Sequence, residues 1–194
     1  MNFSEHFSRP LPLNLPGTLR LLMVIGMMVM PRGGVLAQTV PLPQECNEFA
    51  ESVNRNQAIM ANFEAEIATF AENAAAASTL DEITAAASQY VDAVDQVTNS
   101  LEALAAELES LAFTDAQLQG YRDDYVDVLA GFNGALDTVN AAMSKVAIVE
   151  TESELIASLE AVEMDSSTAI EQIASLATDE SNLIDDVNSY CGVE

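Results

Sequence analysis

The sequence predicts an all-α protein: an antiparallel up-down-up-down four-helix bundle with coiled-coil-like heptad packing, preceded by a signal peptide. The 151 residues after Pro43 contain no proline, so nothing in this stretch forces a helix to break. Apolar residues recur there at alternating steps of three and four, which is the heptad spacing of packed helices. Three threonines, each followed three residues later by Glu or Gln, mark three helix starts.

The N-terminal segment, residues 1–37, is predicted to be a signal peptide. Leu21–Met30 is an apolar run preceded by an arginine, and Val35 and Ala37 are small residues at the positions that a signal peptidase reads. We therefore expect cleavage after Ala37 and a short extended lead-in over 38–43. The run is shorter than the roughly 20 apolar residues that cross a bilayer, so no integral span is expected after cleavage. An N-terminal anchor that stays uncut is the alternative.

The first two predicted helices cover residues 44–77 and 79–112. In the first, the apolar register begins at Cys46, and Asn56 is its one polar residue. The second opens with a capping box, in which Thr79 accepts a bond from a free backbone N–H and Glu82 reaches back. Its register is uninterrupted and comprises Leu80, Ile83, Ala87, Tyr90, Val94, Val97, Leu101, Leu104, Leu108 and Leu111.

The third and fourth predicted helices cover residues 115–149 and 152–190. Their capping boxes are predicted at Thr114 with Gln117 and at Thr151 with Glu154. The register of the fourth helix contains a glutamate, Glu180, where the spacing asks for an apolar residue. Short connections make successive helices antiparallel neighbours, and four apolar stripes can then share one core over residues 44–194.

Two cysteines, Cys46 and Cys191, lie near the first and the last residue of the predicted bundle domain in the sequence. In an oxidising compartment the expectation is one disulfide, which closes a loop of 145 residues. The chain-entropy model gives this link an upper limit of about 5 kcal/mol. In an up-down-up-down bundle both cysteines lie at the same end, so the pairing and the topology agree.

Asn56 and Glu180 lie at nearly the same depth, 10 residues from Cys46 and 11 from Cys191 respectively. The sequence therefore predicts a polar layer in the core, with Arg55 as a further member. One interpretation is a small polar pocket that holds a carboxylate or a ligand. The other is a layer that fixes the register of the helices, as a buried Asn does in coiled coils.

The charge of the chain excludes several partners. Beyond residue 37 there are 3 basic and 30 acidic residues, a net charge of −27. Nucleic acid and anionic membrane surfaces would be repelled. The remaining candidates are a cationic protein, divalent cations held loosely at the surface, and a small apolar ligand. The oligomeric state is left open.

The chemistry of known bundle enzymes is missing from the sequence. The single histidine, His6, lies in the predicted signal peptide, so Glu-x-x-His metal pairs and axial haem ligands cannot be assembled from the rest. We therefore expect no catalytic residue, no metal site and no cofactor. The expected function is that of a secreted or periplasmic, non-enzymatic acidic helical-bundle protein with an interaction or structural role. The alternative is a carrier that holds a small apolar or amphiphilic ligand between the helices.

Salt should stabilise this chain, because screening relieves the mutual repulsion of its carboxylates. We expect the melting temperature to rise between low and physiological ionic strength, measured by circular dichroism. A melting temperature that is flat over this range would show that self-repulsion contributes little to the free energy of unfolding.

Overall fold

The computed structural model describes residues 43–192, and this part of the chain is helical without any strand. The predicted signal peptide over 1–37 and the lead-in residues 38–42 lie outside the described residues. Four helices follow one another: α1 (Pro43–Ala76), α2 (Leu80–Ser110), α3 (Ala116–Ala147) and α4 (Glu152–Cys191).

The starts of α2 and α4 confirm two of the predicted capping boxes. The Thr79 side chain accepts a hydrogen bond from the backbone N–H of Glu82 at 3.3 Å, and the Glu82 carboxylate accepts from the Thr79 N–H at 3.0 Å. Thr151 and Glu154 repeat the arrangement at 3.3 and 3.1 Å. Each box satisfies backbone donors that the first helical turn would leave free.

The predicted capping box at Thr114 is wrong, because Asp115 is the N-cap of α3. The Asp115 carboxylate accepts from the backbone N–H groups of Gln117 at 2.9 Å and Leu118 at 3.0 Å. Thr114 instead donates from its N–H and its hydroxyl to Glu45 of α1, at 2.8 and 2.7 Å. Because Thr114 is hydrogen-bonded to Glu45, it does not cap α3. The short Asp115 carboxylate takes this place, where the positive end of the helix favours a negative charge. The bonds from Thr114 hold the pKa of Glu45 below its ordinary value.

Buried side chains form two clusters. The first lies nearer the cysteines and takes buried residues from all four helices, among them Phe49, Leu101, Tyr125 and Leu183. The second takes its buried residues from α2, α3 and α4, and α1 reaches it through the half-buried Phe70. The packing is that of a helical bundle in which α1 contributes most at one end.

The helix pairs differ in how closely they pack. α3 lies closely against both α2 and α4, and α1 lies against α2, whereas the backbones of α1 and α4 approach one another at few places. The last fully buried residue of α1 is Asn56, and none between Leu155 and Ala169 in α4 is fully buried. The side of the bundle between α1 and α4 is therefore incompletely covered away from the cysteines.

Gly131 marks a close approach between α3 and α4. A Cβ atom at this position would lie 2.6 Å from Cδ2 of Leu176, whereas a Cβ at Gly134 would meet nothing within 4 Å. A side chain at 131 would thus require the Leu176 side chain to move.

We predict that alanine stabilises the protein more at position 134 than at position 131 of α3. Gly134→Ala should raise the free energy of unfolding by about 0.5–1 kcal/mol, because alanine reduces the entropy lost on helix formation and meets no neighbour here. Gly131→Ala has the same gain in helix propensity but displaces Leu176, so its stabilisation should be smaller or negative. Urea denaturation of both variants measures the difference, and equal stabilisation would contradict the close approach.

Candidate functional site

The polar centre of the bundle is the carboxylate of Glu180 on α4, which is only 7% exposed. The Asn56 amide on α1 donates from Nδ2 to Glu180 Oε1 at 2.8 Å. The Tyr125 hydroxyl on α3 donates to the same oxygen at 2.9 Å. Three helices therefore converge on one carboxylate oxygen, and these three residues are called the Glu180 triad below.

The pairing of the two cysteines explains why Asn56 and Glu180 meet. Their sulfur atoms lie at disulfide distance, 2.01 Å, and their Cα atoms are 6.1 Å apart. Because an α-helix rises 1.5 Å per residue, positions 10 and 11 residues from this link lie at similar depth, about 15 Å along the bundle. The Phe49 ring packs at a tilt against Tyr125, with centroids 5.6 Å apart, and so restrains the direction of the phenol.

The surroundings of the triad keep the phenol protonated. Burial raises the pKa of Tyr125 well above its ordinary value, and the nearby charge of Glu180 and the hydrogen bond to it act in the same direction. Tyr125 therefore remains a donor throughout the physiological range. Within residues 43–192, Asn56 Oδ1 is buried and receives no hydrogen bond, so the triad is not fully satisfied.

Arg55 does not belong to the triad, and the prediction that placed it in the polar layer is wrong. Its guanidinium is exposed, forms an ion pair with Glu107 of α2 and donates to the Ser52 hydroxyl at 3.3 Å. Consecutive residues point about 100° apart around a helix, so Arg55 faces α2 when Asn56 faces the core. At this position the charge stays in contact with water, which avoids the cost of burying it.

Two members of the polar architecture were not identified from the sequence. The first is Tyr125, although counting residues from the start of α3 places it near the depth of Asn56. Glu45 gave no signal, because its role as the acceptor for Thr114 depends on how α1 lies against the start of α3. At the same end, the Tyr190 hydroxyl donates to both carboxylate oxygens of Asp115 at 3.1 Å.

The chemistry available to the triad is that of hydrogen bonding. It combines one carboxylate with two neutral donors. The three residues lie on three different helices, and the bonds from Asn56 and Tyr125 fix the position of the Glu180 side chain. In the described part of the chain, no three His, Cys, Asp or Glu side chains are arranged so that they could hold a metal ion. The arrangement supports a register-fixing layer.

A shallow cleft of about 340 Å³ lies between α3 and α4, near the triad. Its walls carry four aspartates, and its apolar residues are Val128 and Leu183; the aspartates are Asp124, Asp127, Asp179 and Asp186. Its polarity makes it unsuited to an apolar ligand.

Comparison of the chain with protein families, with curated proteins and with solved structures found no match. Over residues 43–192, none of the helices combines the length and the apolar character needed to span a membrane.

Removing the Tyr125 hydroxyl should destabilise the protein. Tyr125→Phe keeps the ring but deprives the buried carboxylate of a donor, which we expect to cost about 2 kcal/mol of unfolding free energy. Tyr121→Phe is the matched control: Tyr121 is half-buried on the same helix and packs edge-on to Tyr190. We expect it to cost less than about 0.5 kcal/mol. Equal losses in urea denaturation would show that the bond to Glu180 does not stabilise the fold.

Proposed function

We propose that this protein is an extracytoplasmic, non-enzymatic interaction module, and that its binding surface includes the first half of α4. The observation that carries the proposal is the exposure of large apolar side chains in this stretch. Ile156 is 62% exposed and Ile170 is 49% exposed. Exposed apolar patches on soluble domains mark sites of interaction with other molecules.

The proposed compartment rests on the sequence of residues 1–37 and on the cysteines. A cleaved signal peptide would deliver the chain to an oxidising environment, where the Cys46–Cys191 pair is stable. The described helices are compatible with this location, since none is suited to span a membrane.

The proposed topology is antiparallel, up-down-up-down. Its support is the set of contacts at the cysteine end, where the beginning of α1 meets the end of α4 through Cys46 and Cys191. The beginning of α3 meets the same end through Asp115 and Tyr190. This arrangement follows from short connections between straight helices.

A carrier of a small apolar or amphiphilic ligand is the second candidate. The half-buried apolar residues between α1 and α4 favour it, because they offer surface that an acyl chain or a ring could cover. A carrier encloses most of its ligand, whereas a module that binds a protein uses an open face.

Affinity capture from the native extracellular fraction tests the proposed function. The protein should retain a macromolecular partner, and Ile156→Ser/Ile170→Ser should reduce this retention at unchanged circular dichroism. Native mass spectrometry of the purified protein distinguishes a carrier from an interaction module, because the spectrum of a carrier shows a small molecule bound in a fixed ratio to the chain. Equal capture of the same protein by the original chain and by the variant would contradict a binding surface on α4.

A further inference from the structure

We propose that the incompletely covered side between α1 and α4 binds a cationic amphipathic helix of a partner protein. This side, formed by residues 57–76 of α1 and 152–176 of α4, is called the α1–α4 groove below. The inference rests on the proposed interaction function and names its surface and the chemistry of its partner.

The groove is lined by register residues that are apolar but only half-buried. In a closed four-helix bundle, apolar residues of the heptad register are covered by the opposite helices. Here the backbones of α1 and α4 approach each other at few places, and, apart from the buried Leu155 and Ala169 of α4, the larger register residues of both helices keep part of their surface in water. These residues are Met60, Phe63, Ile67, Val162, Ile173 and Leu176.

One edge of α4 shows directly where the cover ends. Ile156, Ile170, Ala177 and Ile184 follow one another at multiples of seven residues and so lie along one edge of the helix. Ala177 and Ile184, towards the cysteines, are packed against the core. Ile156 and Ile170, farther from the cysteines, are exposed. The same edge is therefore covered at one end of the helix and open at the other.

This edge of α4 faces α1. The opposite edge carries Asp179 and Asp186, which line the cleft that α4 forms with Asp124 and Asp127 of α3. Since α4 lies between α3 and α1 in the bundle, the edge turned away from α3 borders the groove. Ile156 and Ile170 are then the rim of the groove on the α4 side.

The charges around the groove select a cationic occupant. Residues 57–76 contain three glutamates, and residues 152–176 contain six acidic residues, whereas neither stretch contains a lysine or an arginine. A second copy of the chain would bring the same carboxylates, and an anionic membrane would repel them. A partner with an apolar stripe between rows of Lys or Arg matches both the lining and the rim.

The shape of the groove favours a helix over a flat surface. A space between two helices whose register residues are apolar can accept the apolar face of a third helix, which is a recurrent mode of peptide recognition. Such a helix would complete the cover of the core that α1 and α4 leave open. Apolar burial would then provide affinity, and the carboxylates would provide orientation and a fast association rate.

The test uses a synthetic 18-residue peptide of leucine and lysine that forms an amphipathic helix. We expect it to bind the purified protein with a dissociation constant on the order of 10 µM or tighter at low salt, measured by isothermal titration calorimetry. A peptide of the same composition in scrambled order should bind at least tenfold more weakly. Vesicles of zwitterionic lipid should not bind.

Two variants locate the binding surface. Ile156→Lys/Ile170→Lys places positive charges on the rim and should weaken binding of the leucine–lysine peptide at least tenfold. Met164→Lys is the matched control, because Met164 is an exposed apolar residue on the outward face of the same helix. It should change the affinity less than threefold. All three residues are exposed, and circular dichroism verifies that the variants keep their helix content.

Three outcomes would overturn the proposal: equal binding of the ordered and scrambled peptides, an equal effect of the rim and control variants, or binding to vesicles in preference to the peptide. The outcomes also distinguish a failure of the groove proposal from a failure of the proposed function. If Ile156→Lys/Ile170→Lys loses the peptide but still captures the native partner, the groove is not the partner's site, and the protein is an interaction module that binds its partner on another surface. If the chain captures no macromolecule but binds the peptide through the rim, the groove stands and the proposed function does not.

Discussion

The pairing of Cys46 with Cys191 is the constraint on which the described structure depends. It holds the beginning of α1 against the end of α4 across 145 residues of sequence. Contacts from the neighbouring Glu45 and Tyr190 to Thr114 and Asp115 add the start of α3 to the same end. With these three helix ends held together, the depth of each residue of α1, α3 and α4 along the bundle is determined by its distance in sequence from this end.

The Glu180 triad follows from that constraint. A carboxylate among apolar side chains would be costly alone, and two donors from two other helices offset part of the cost. A shift of α4 by a single residue would break both hydrogen bonds, and a shift of α1 or α3 would break one of them, because the side chains would rotate away from one another. The triad thus favours one register among several that the apolar stripes alone would permit.

The helices share fewer buried contacts away from the cysteine end. The cluster near the cysteines takes buried residues from four helices, and the second cluster takes them from three. Alanines are frequent in α1 beyond Asn56, and they bury little area when they meet a neighbour. Repulsion among the acidic residues of α1 and α4 acts in the same place and opposes closure. The proposed α1–α4 groove thus lies at the less covered end of a fold that the disulfide and the Glu180 triad hold together near the other end.

Over residues 43–192, the sequence by itself determined the helical class, the number of helices, two of the three predicted caps and the register of the core, because these depend on short-range spacing. Heptad periodicity, absent prolines and capping boxes are local properties of the chain. Counting residues from the cysteines also brought Asn56 and Glu180 to one depth. Only the tertiary structure decided that Arg55 faces α2, that Asp115 rather than Thr114 caps α3, and that α1 leaves α4 partly uncovered. Each of these depends on the distance and rotation between helices, which arise from competing contacts between residues far apart in sequence.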